Sequence, residues 1–277
     1  MNALIITLTI VALVAVILVT ADRRFRGKYV EDMINGNNRV RGKRAEILTE
    51  EEIVSLPEPL KRYLHYTGVV GKEKPLSARI HFEGWLQEPG KAPFNIRAEQ
   101  TSYFDIPTRL FFIAGKMMGI PVRAFHRYIS ASASFEVKPL SLFHVVNERG
   151  GSLDYAETVT FFNDMCLIVP GTLAGENIRW EDAGNNTVKG TLTINNISVT
   201  AFLTFRENGE LVTFWSDDRY FRNDKGEMKK VRWSTPVTDF KEYDGIRLAS
   251  GAEAIWSFPE GDFRYASFIL RDVKVNF

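Results

Sequence analysis

From Gly184 onward the chain is punctuated by turn dipeptides at a nearly regular interval. This rhythm constrains the fold more than any other feature. Gly184-Asn185, Asn195-Asn196, Asn208-Gly209, Lys225-Gly226, Asp244-Gly245 and Glu260-Gly261 fall about 11–19 residues apart. Asn-Gly and Asp-Gly supply the positive φ angles of two-residue hairpin turns, so they mark strand ends. They delimit seven predicted strands, roughly 177–183, 187–195, 197–206, 210–222, 228–240, 246–258 and 262–276, joined as an antiparallel meander. The longer ones exceed ordinary strand length, and long strands in a twisted sheet curl. Alternation assigns an inner face to Ile197, Val199, Ala201, Leu203 and Phe205. The same rule turns Trp180, Trp215, Trp233 and Trp256 toward one interior.

The chain before this meander also reads as strands, at 76–88, 93–104, 108–118, 121–130 and 132–138. Between the two strand groups lies one helix-like segment, Gly151–Pro170, predicted helical over about 152–169. Ser152 can cap it, and Pro170-Gly171 stops it. Tyr155, Val159, Phe162, Cys166 and Val169 form a stripe, and Leu153, Phe161, Met165 and Ile168 spread apolar surface around much of the rest. A helix that is apolar nearly all round is a buried helix. The fold class is therefore α+β, mostly antiparallel β, with a long curved sheet (an incomplete barrel) wrapped around a central helix. A further helical stretch is expected at about 50–67. A Thr49–Glu52 capping box opens it, Pro57-Glu58-Pro59 interrupts it and Gly68 closes it.

The N-terminus adds a separate element. Ala3 to Ala21 carries no charge over 19 residues, about 28 Å at helical rise, close to the hydrocarbon thickness of a bilayer. The expected organisation is a transmembrane anchor over 1–21, a basic juxtamembrane linker over 22–48 and a single curved-sheet domain over 49–277. Ala3 and Leu18 lie within the span, and Arg23 and Arg24 sit at its edge. The alternative is a cleaved signal peptide, for which Val19-Thr20-Ala21 would pass as a cleavage site; against it, no Lys or Arg precedes the apolar run. The basic residues after the span place the domain in the cytoplasm by the positive-inside rule, with the extracytoplasmic side as the alternative if they are headgroup contacts.

Lys+Arg (35) and Asp+Glu (34) nearly cancel, which argues against a nucleic-acid binder. The single cysteine, Cys166, excludes an internal disulfide, and its place on the helix stripe reads as a buried structural thiol. His65, His81, His126 and His144 are far apart and make no ligand-spaced pair, so no metal and no cofactor is expected. No Gly-x-Gly-x-x-Gly or Gly-x-Ser-x-Gly motif is present.

Several residue groups carry a family resemblance: Pro57-x-Pro59-Leu60-x-Arg62-Tyr63-Leu64, Met117-Met118-Gly119, and Gly151-x-Leu153-x-Tyr155-x-Glu157. With the strand-rich C-terminal half, they make residues 55–277 resemble the uncharacterised bacterial DUF6544/DUF6920-type proteins. The resemblance implies a LolA/LolB-like fold, in which an incomplete barrel with helices in its mouth holds acyl chains. The chain departs from those carriers in having no lipobox and in carrying an anchor.

Candidate ligand-binding residues are the interior aromatics Phe161, Trp180, Trp215, Trp233 and Trp256, together with Glu157, Asp217 and Arg219. Asp217 and Arg219 share the face of Trp215 by period two, so an inward face would bury both charges together. Glu157 is a carboxylate on an apolar helix. Three functions fit these features. The first is a membrane-anchored, non-catalytic protein that binds an apolar or lipid-like ligand between sheet and helix. The second is a membrane-associated scaffold with a filled core. The third is a hydrolase using Glu157, Asp217 or His126 as acid or base. The expected partners are the bilayer, through residues 3–21, and an apolar ligand; the sequence leaves the oligomeric state open.

Overall fold

The computed structural model describes residues 2–223 and 226–277; Lys225, half of one expected turn, lies outside the described residues. Helix α1 spans Asn2–Val40, and α2 (Glu50–Ile53) and α3 (Glu58–Thr67) follow. Six strands come next: β1 (Ser77–Leu86), β2 (Phe94–Tyr103), β3 (Thr108–Met117), β4 (Ile120–Ile129), β5 (Ser132–Pro139) and β6 (Val146–Arg149). Helix α4 (Ser152–Leu167) leads to β7 (Ile178–Gly184), β8 (Thr187–Ile194), β9 (Ile197–Phe205) and β10 (Leu211–Ser216). The chain ends with β11 (Tyr220–Arg222), β12 (Met228–Lys230), β13 (Arg232–Tyr243), β14 (Ile246–Phe258) and β15 (Gly261–Val275).

Thirteen strands form one sheet in the order β6-β5-β4-β3-β2-β1-β15-β14-β13-β10-β9-β8-β7. The first meander runs from the centre of the sheet out to one edge. Helix α4 then carries the chain across to the opposite edge, and the second meander returns to pair β15 with β1 antiparallel. The sheet does not close, because β6 and β7 stand at its two ends. The crossover helix contacts β4, β5 and β6 of one half and β9 and β10 of the other, and also the separate strand β11, so the sheet curls around it. Val159, Phe162 and Cys166 are fully buried, as the apolar stripe requires. Tyr63 of α3 donates to the Cys166 carbonyl at 2.6 Å, satisfying one of the free acceptors at the end of α4. Burial pushes the Cys166 thiol up, which suits a structural role.

Two expected strands are each divided. Residues 210–222 give β10 and β11, and residues 228–240 give β12 and β13, because the chain leaves the main sheet after Ser216 to form the small β11–β12 hairpin. Arg222 of this hairpin bonds Glu148 of β6, linking the hairpin to the far edge of the sheet.

The expected linker over 22–48 is corrected. Helix α1 runs unbroken through the apolar segment to Val40. Phe25, Tyr29 and Met33 recur every four residues and make a stripe that composition alone hides. Phe25 and Tyr29 are buried against Leu110, Phe112, Phe125 and Tyr103 on the convex face of the sheet, a second apolar cluster apart from the main core. Gly36 lies flat on the Tyr103 ring, where any Cβ would collide. Around this seam, Asp22 pairs with Arg123 (3.0 Å), Arg26 with Glu99 (2.6 Å), Lys28 with Glu136 (2.8 Å) and Asp32 with Arg127 (2.7 Å). The solvent-exposed pairs among these are worth about 0–1 kcal/mol each, so the aromatic stripe, with the buried Glu136 end of the Lys28 pair, supplies most of the docking energy. Phe25→Ala is expected to remove about 3–5 kcal/mol of it. In vesicle-reconstituted protein, trypsin should then cut at Arg26 and Lys28 much faster than in the parent chain. An unchanged cleavage rate would mean that the helix is not held by this seam.

Candidate functional site

A cavity of about 760 Å³ lies between the concave face of the sheet and α4. Its walls follow from strand alternation. Phe111, Ile113, Gly115 and Met117 line it from β3, Val122 and Ala124 from β4, and Phe135, Val137 and Pro139 from β5. The opposite flank is built by Ala249, Ala252 and Ala254 of β14 and by Phe268 and Leu270 of β15. The small residues of β14 leave the space that the aromatics of β3 and β5 do not fill.

The same parity brings polar groups inward. Arg109 is two residues before Phe111, and His126 is two residues after Ala124. From α4 come Glu157 and Asp164, seven residues and two helical turns apart, hence on one face. Arg109 donates from Nε to Asp164 Oδ2 (2.6 Å) and from Nη1 to Glu157 Oε2 (3.2 Å). His126 Nδ1 lies 2.9 Å from Glu157 Oε1, and Gln100 Nε2 donates to Asp164 Oδ2 at 2.8 Å. Phe135 stacks on the His126 ring at 3.8 Å, and the Arg109 guanidinium lies over Phe111 at 4.5 Å. Burial alone would raise the Glu157 pKa; His126 and Arg109 outweigh it and hold the carboxyl down at about 2. Burial also works against charge on Arg109, but Asp164 and Glu157 raise its pKa. The centre is thus a buried, compensated cluster that ties α4 to β2, β3 and β4.

Arg219 is different. Its guanidinium lies over Trp233 (4.2 Å) and Trp256 (5.0 Å), and Nη1 donates to the Tyr265 hydroxyl at 2.9 Å. Among the described residues no carboxylate lies within ion-pair distance of it, and its buried Nε has no hydrogen-bond partner. Gln100 Oε1 is likewise buried without a partner. Both residues line the cavity. The cavity therefore has an apolar body and one cation held by aromatic faces rather than by an anion.

Of the eight residues singled out from sequence, Glu157, Arg219 and Trp233 line the cavity, and Trp256 backs Arg219. Phe161 packs away from it, on Phe104 and Tyr128. Trp180 covers Phe162 and donates to the Leu173 carbonyl. Trp215 does not face the interior. A register shift between Leu211 and Thr213 reverses the alternation, so Phe214 points into the core and Trp215 stacks outside on Phe202. Asp217 is exposed and pairs with Arg232 at 2.8 Å; the strand ends at Ser216, so Asp217 and Arg219 no longer share a face. Arg109, Asp164 and Gln100 belong to the site without having been singled out. The signal for Arg109 was its period-two spacing from Phe111 and Ile113.

Among solved structures, the chain is similar to a LolA superfamily protein from Nitrosomonas europaea, with 11% sequence identity over 79% of this chain and 92% of that chain and a TM-score of 0.41. It is also similar to a DUF1329 family protein from Desulfovibrio piger, at 8% identity with the same coverage and a TM-score of 0.41. Among curated proteins no relative matches. Residues 46–268 match the family described as "Family of unknown function (DUF6544)". That stretch takes in α2, α3, α4 and the wall strands up to Phe268 in β15, and the chain belongs to this family.

Proposed function

We propose that the protein is a membrane-anchored, non-catalytic carrier or receptor for a lipid-like ligand with an acidic head, held between the curved sheet and α4. The observation that carries this reading is the cavity of about 760 Å³, a size typical of small-molecule sites, lined mainly by apolar side chains. An interior of this volume speaks against a scaffold with a filled core. Arg219 supports the acidic head: among the described residues no carboxylate lies within ion-pair distance of it, and its unpartnered Nε favours an anionic group that can accept its hydrogen bonds. The helix over Ala3–Val40 is long and apolar enough to cross a membrane, and residues 3–20 stand exposed apart from the half-buried Leu18.

The test uses the full chain in amphipol with a fluorescent long-chain fatty acid. Saturable binding at one probe per chain is expected, displaced by unlabelled fatty acid. A charge-assisted hydrogen bond is worth about 1.5–3 kcal/mol, so Arg219→Gln should weaken binding by about tenfold to a hundredfold. No saturable binding would remove the proposal; equal binding by Arg219→Gln would remove the acidic head from it.

One observation favours a second reading, acid–base catalysis. His126 and Glu157 meet at 2.9 Å in the cavity wall, a carboxylate orienting an imidazole. Among the described residues no hydroxyl is hydrogen-bonded to His126, so the pair lacks an activated nucleophile. Turnover of an acyl ester, lost in His126→Gln, would establish this reading over simple binding.

A further inference from the structure

We propose that the β3–β4 turn and the β5–β6 loop are immersed in the surface of the same bilayer that α1 crosses, so that the cavity opens directly into the lipid. This rests on the reading of residues 3–21 as a membrane span, and it adds the orientation of the domain and the route of its ligand.

The register of α1 on β4 carries the inference. Asp22 pairs with Arg123 and Asp32 with Arg127, so helix and strand run in the same direction. Between Asp22 and Asp32 the helix advances about 15 Å, and between Arg123 and Arg127 the strand advances about 13 Å; the two axes are nearly aligned. Strand β4 begins at Ile120, three residues before Arg123. That is about 10 Å along the strand, which the helix covers in about seven residues. The β3–β4 turn therefore lies level with residues near Ala15, inside the apolar run. Leu18, half-buried where its neighbours are exposed, agrees with this overlap. The β5–β6 loop leaves the sheet next to this turn, because Pro139 pairs with Val122 and the Leu140 N–H donates to the Pro121 carbonyl; Ser141 then donates to Asp22 at 2.9 Å.

The exposed side chains of the β3–β4 turn and the β5–β6 loop fit lipid and not water, whereas the β1–β2 turn at the same end brings the exposed Glu88–Lys91 pair to the cavity rim. Met118 is 96% exposed, Phe143 66%, Val145 61% and Ile120 49%. Met118 and Gly119 both have positive φ (+52° and +82°), the pattern of a type I′ turn in which Asn or Gly is favoured at the first position. Placing a fully exposed Met there runs against both local propensity and solubility. Arg23, Arg24 and Lys116 are exposed near the same level, where phosphate headgroups would lie. Met117, Pro139 and Val145 also line the cavity, so its mouth is continuous with this apolar end. The β2–β3 turn, at the other end of β3, meets α1 through ion pairs instead: Asp105 pairs with Arg39 and Lys43.

The experiment places a single fluorescent label on the full chain in phosphatidylcholine vesicles, with and without a doxyl-chain lipid as quencher. Cys166 is buried and stays unlabelled, which the parent chain checks. The labelled variants are Met118→Cys, Phe143→Cys, Ile106→Cys in the turn between β2 and β3, and Val11→Cys within the span. Quenching at 11, 118 and 143, with none at 106, is the expected result. Quenching at 11 but not at 118 or 143 would overturn the proposal while leaving the anchor intact. Quenching at all four positions would also overturn it, since the domain would then lie flat on the lipid. No quenching at 11 would mean that the anchor reading itself fails, and the proposal with it.

Discussion

Replacing Arg109 by methionine is expected to cost the fold about 3–5 kcal/mol, the range for removing one partner of a buried ion pair. Among the described residues the guanidinium is the only group that touches both Glu157 and Asp164, and all three side chains are nearly inaccessible to water. Methionine fills similar volume but leaves two buried carboxylates, one with only His126 and the other with only neutral amide donors. Urea unfolding of the detergent-solubilised full chain measures the loss. Its pH dependence identifies the cause. In the parent chain Glu157 is held down at about 2, below the usual carboxylate value of about 4.3. Its contribution is therefore complete above that ordinary value and is lost as pH falls toward 2. In Arg109→Met, Glu157 loses one of the cations that hold it down and shifts upward, the folded state gives up less stability on taking up that proton, and the deficit narrows as pH falls. A deficit that is constant with pH would point to lost packing instead.

The second large effect concerns the cavity. Ala124→Trp on β4 and Ala249→Trp on β14 put an indole into the empty space from two different strands. Neither position belongs to the Arg109–Glu157–Asp164 cluster, so the fold should survive with an unchanged far-ultraviolet spectrum. Fatty-acid binding should fall more than tenfold in each variant, a loss of at least about 1.4 kcal/mol. Overpacking costs about 1–3 kcal/mol where a core is already full. A stability near that of the parent chain would therefore itself show that the indole entered open space. Full binding by both variants would place the ligand elsewhere.

Much of the architecture was legible because it rests on local signals. The turn dipeptides delimited β7, β8, β9, β14 and β15 closely, and Gly151 and Pro170 bracketed α4. The docking of α1 was not legible from composition. Phe25, Tyr29 and Met33 are only three residues in a basic stretch, and their meaning depends on Phe112 and Phe125, which lie far along the chain. Trp215 was misassigned because one bulge reverses a strand's faces, and nothing local in residues 211–213 announces it. The site was half legible. Glu157 stood out as a charge on an apolar helix, whereas Arg109 and Asp164 acquire their roles only when β3 and α4 are brought together by a crossover spanning the whole sheet. The sequence also cannot show volume: the cavity exists because the alanines of β14 face the aromatics of β3 and β5.

Native mass spectrometry of the full chain taken from its own membrane reads directly whether the cavity carries a ligand. The expected result is a species carrying the mass of one lipid-like molecule, or one added fatty acid after delipidation, absent from Ala124→Trp and Ala249→Trp. A bare chain that takes up no fatty acid, or a lipid adduct retained in full by both blocked variants, would contradict it.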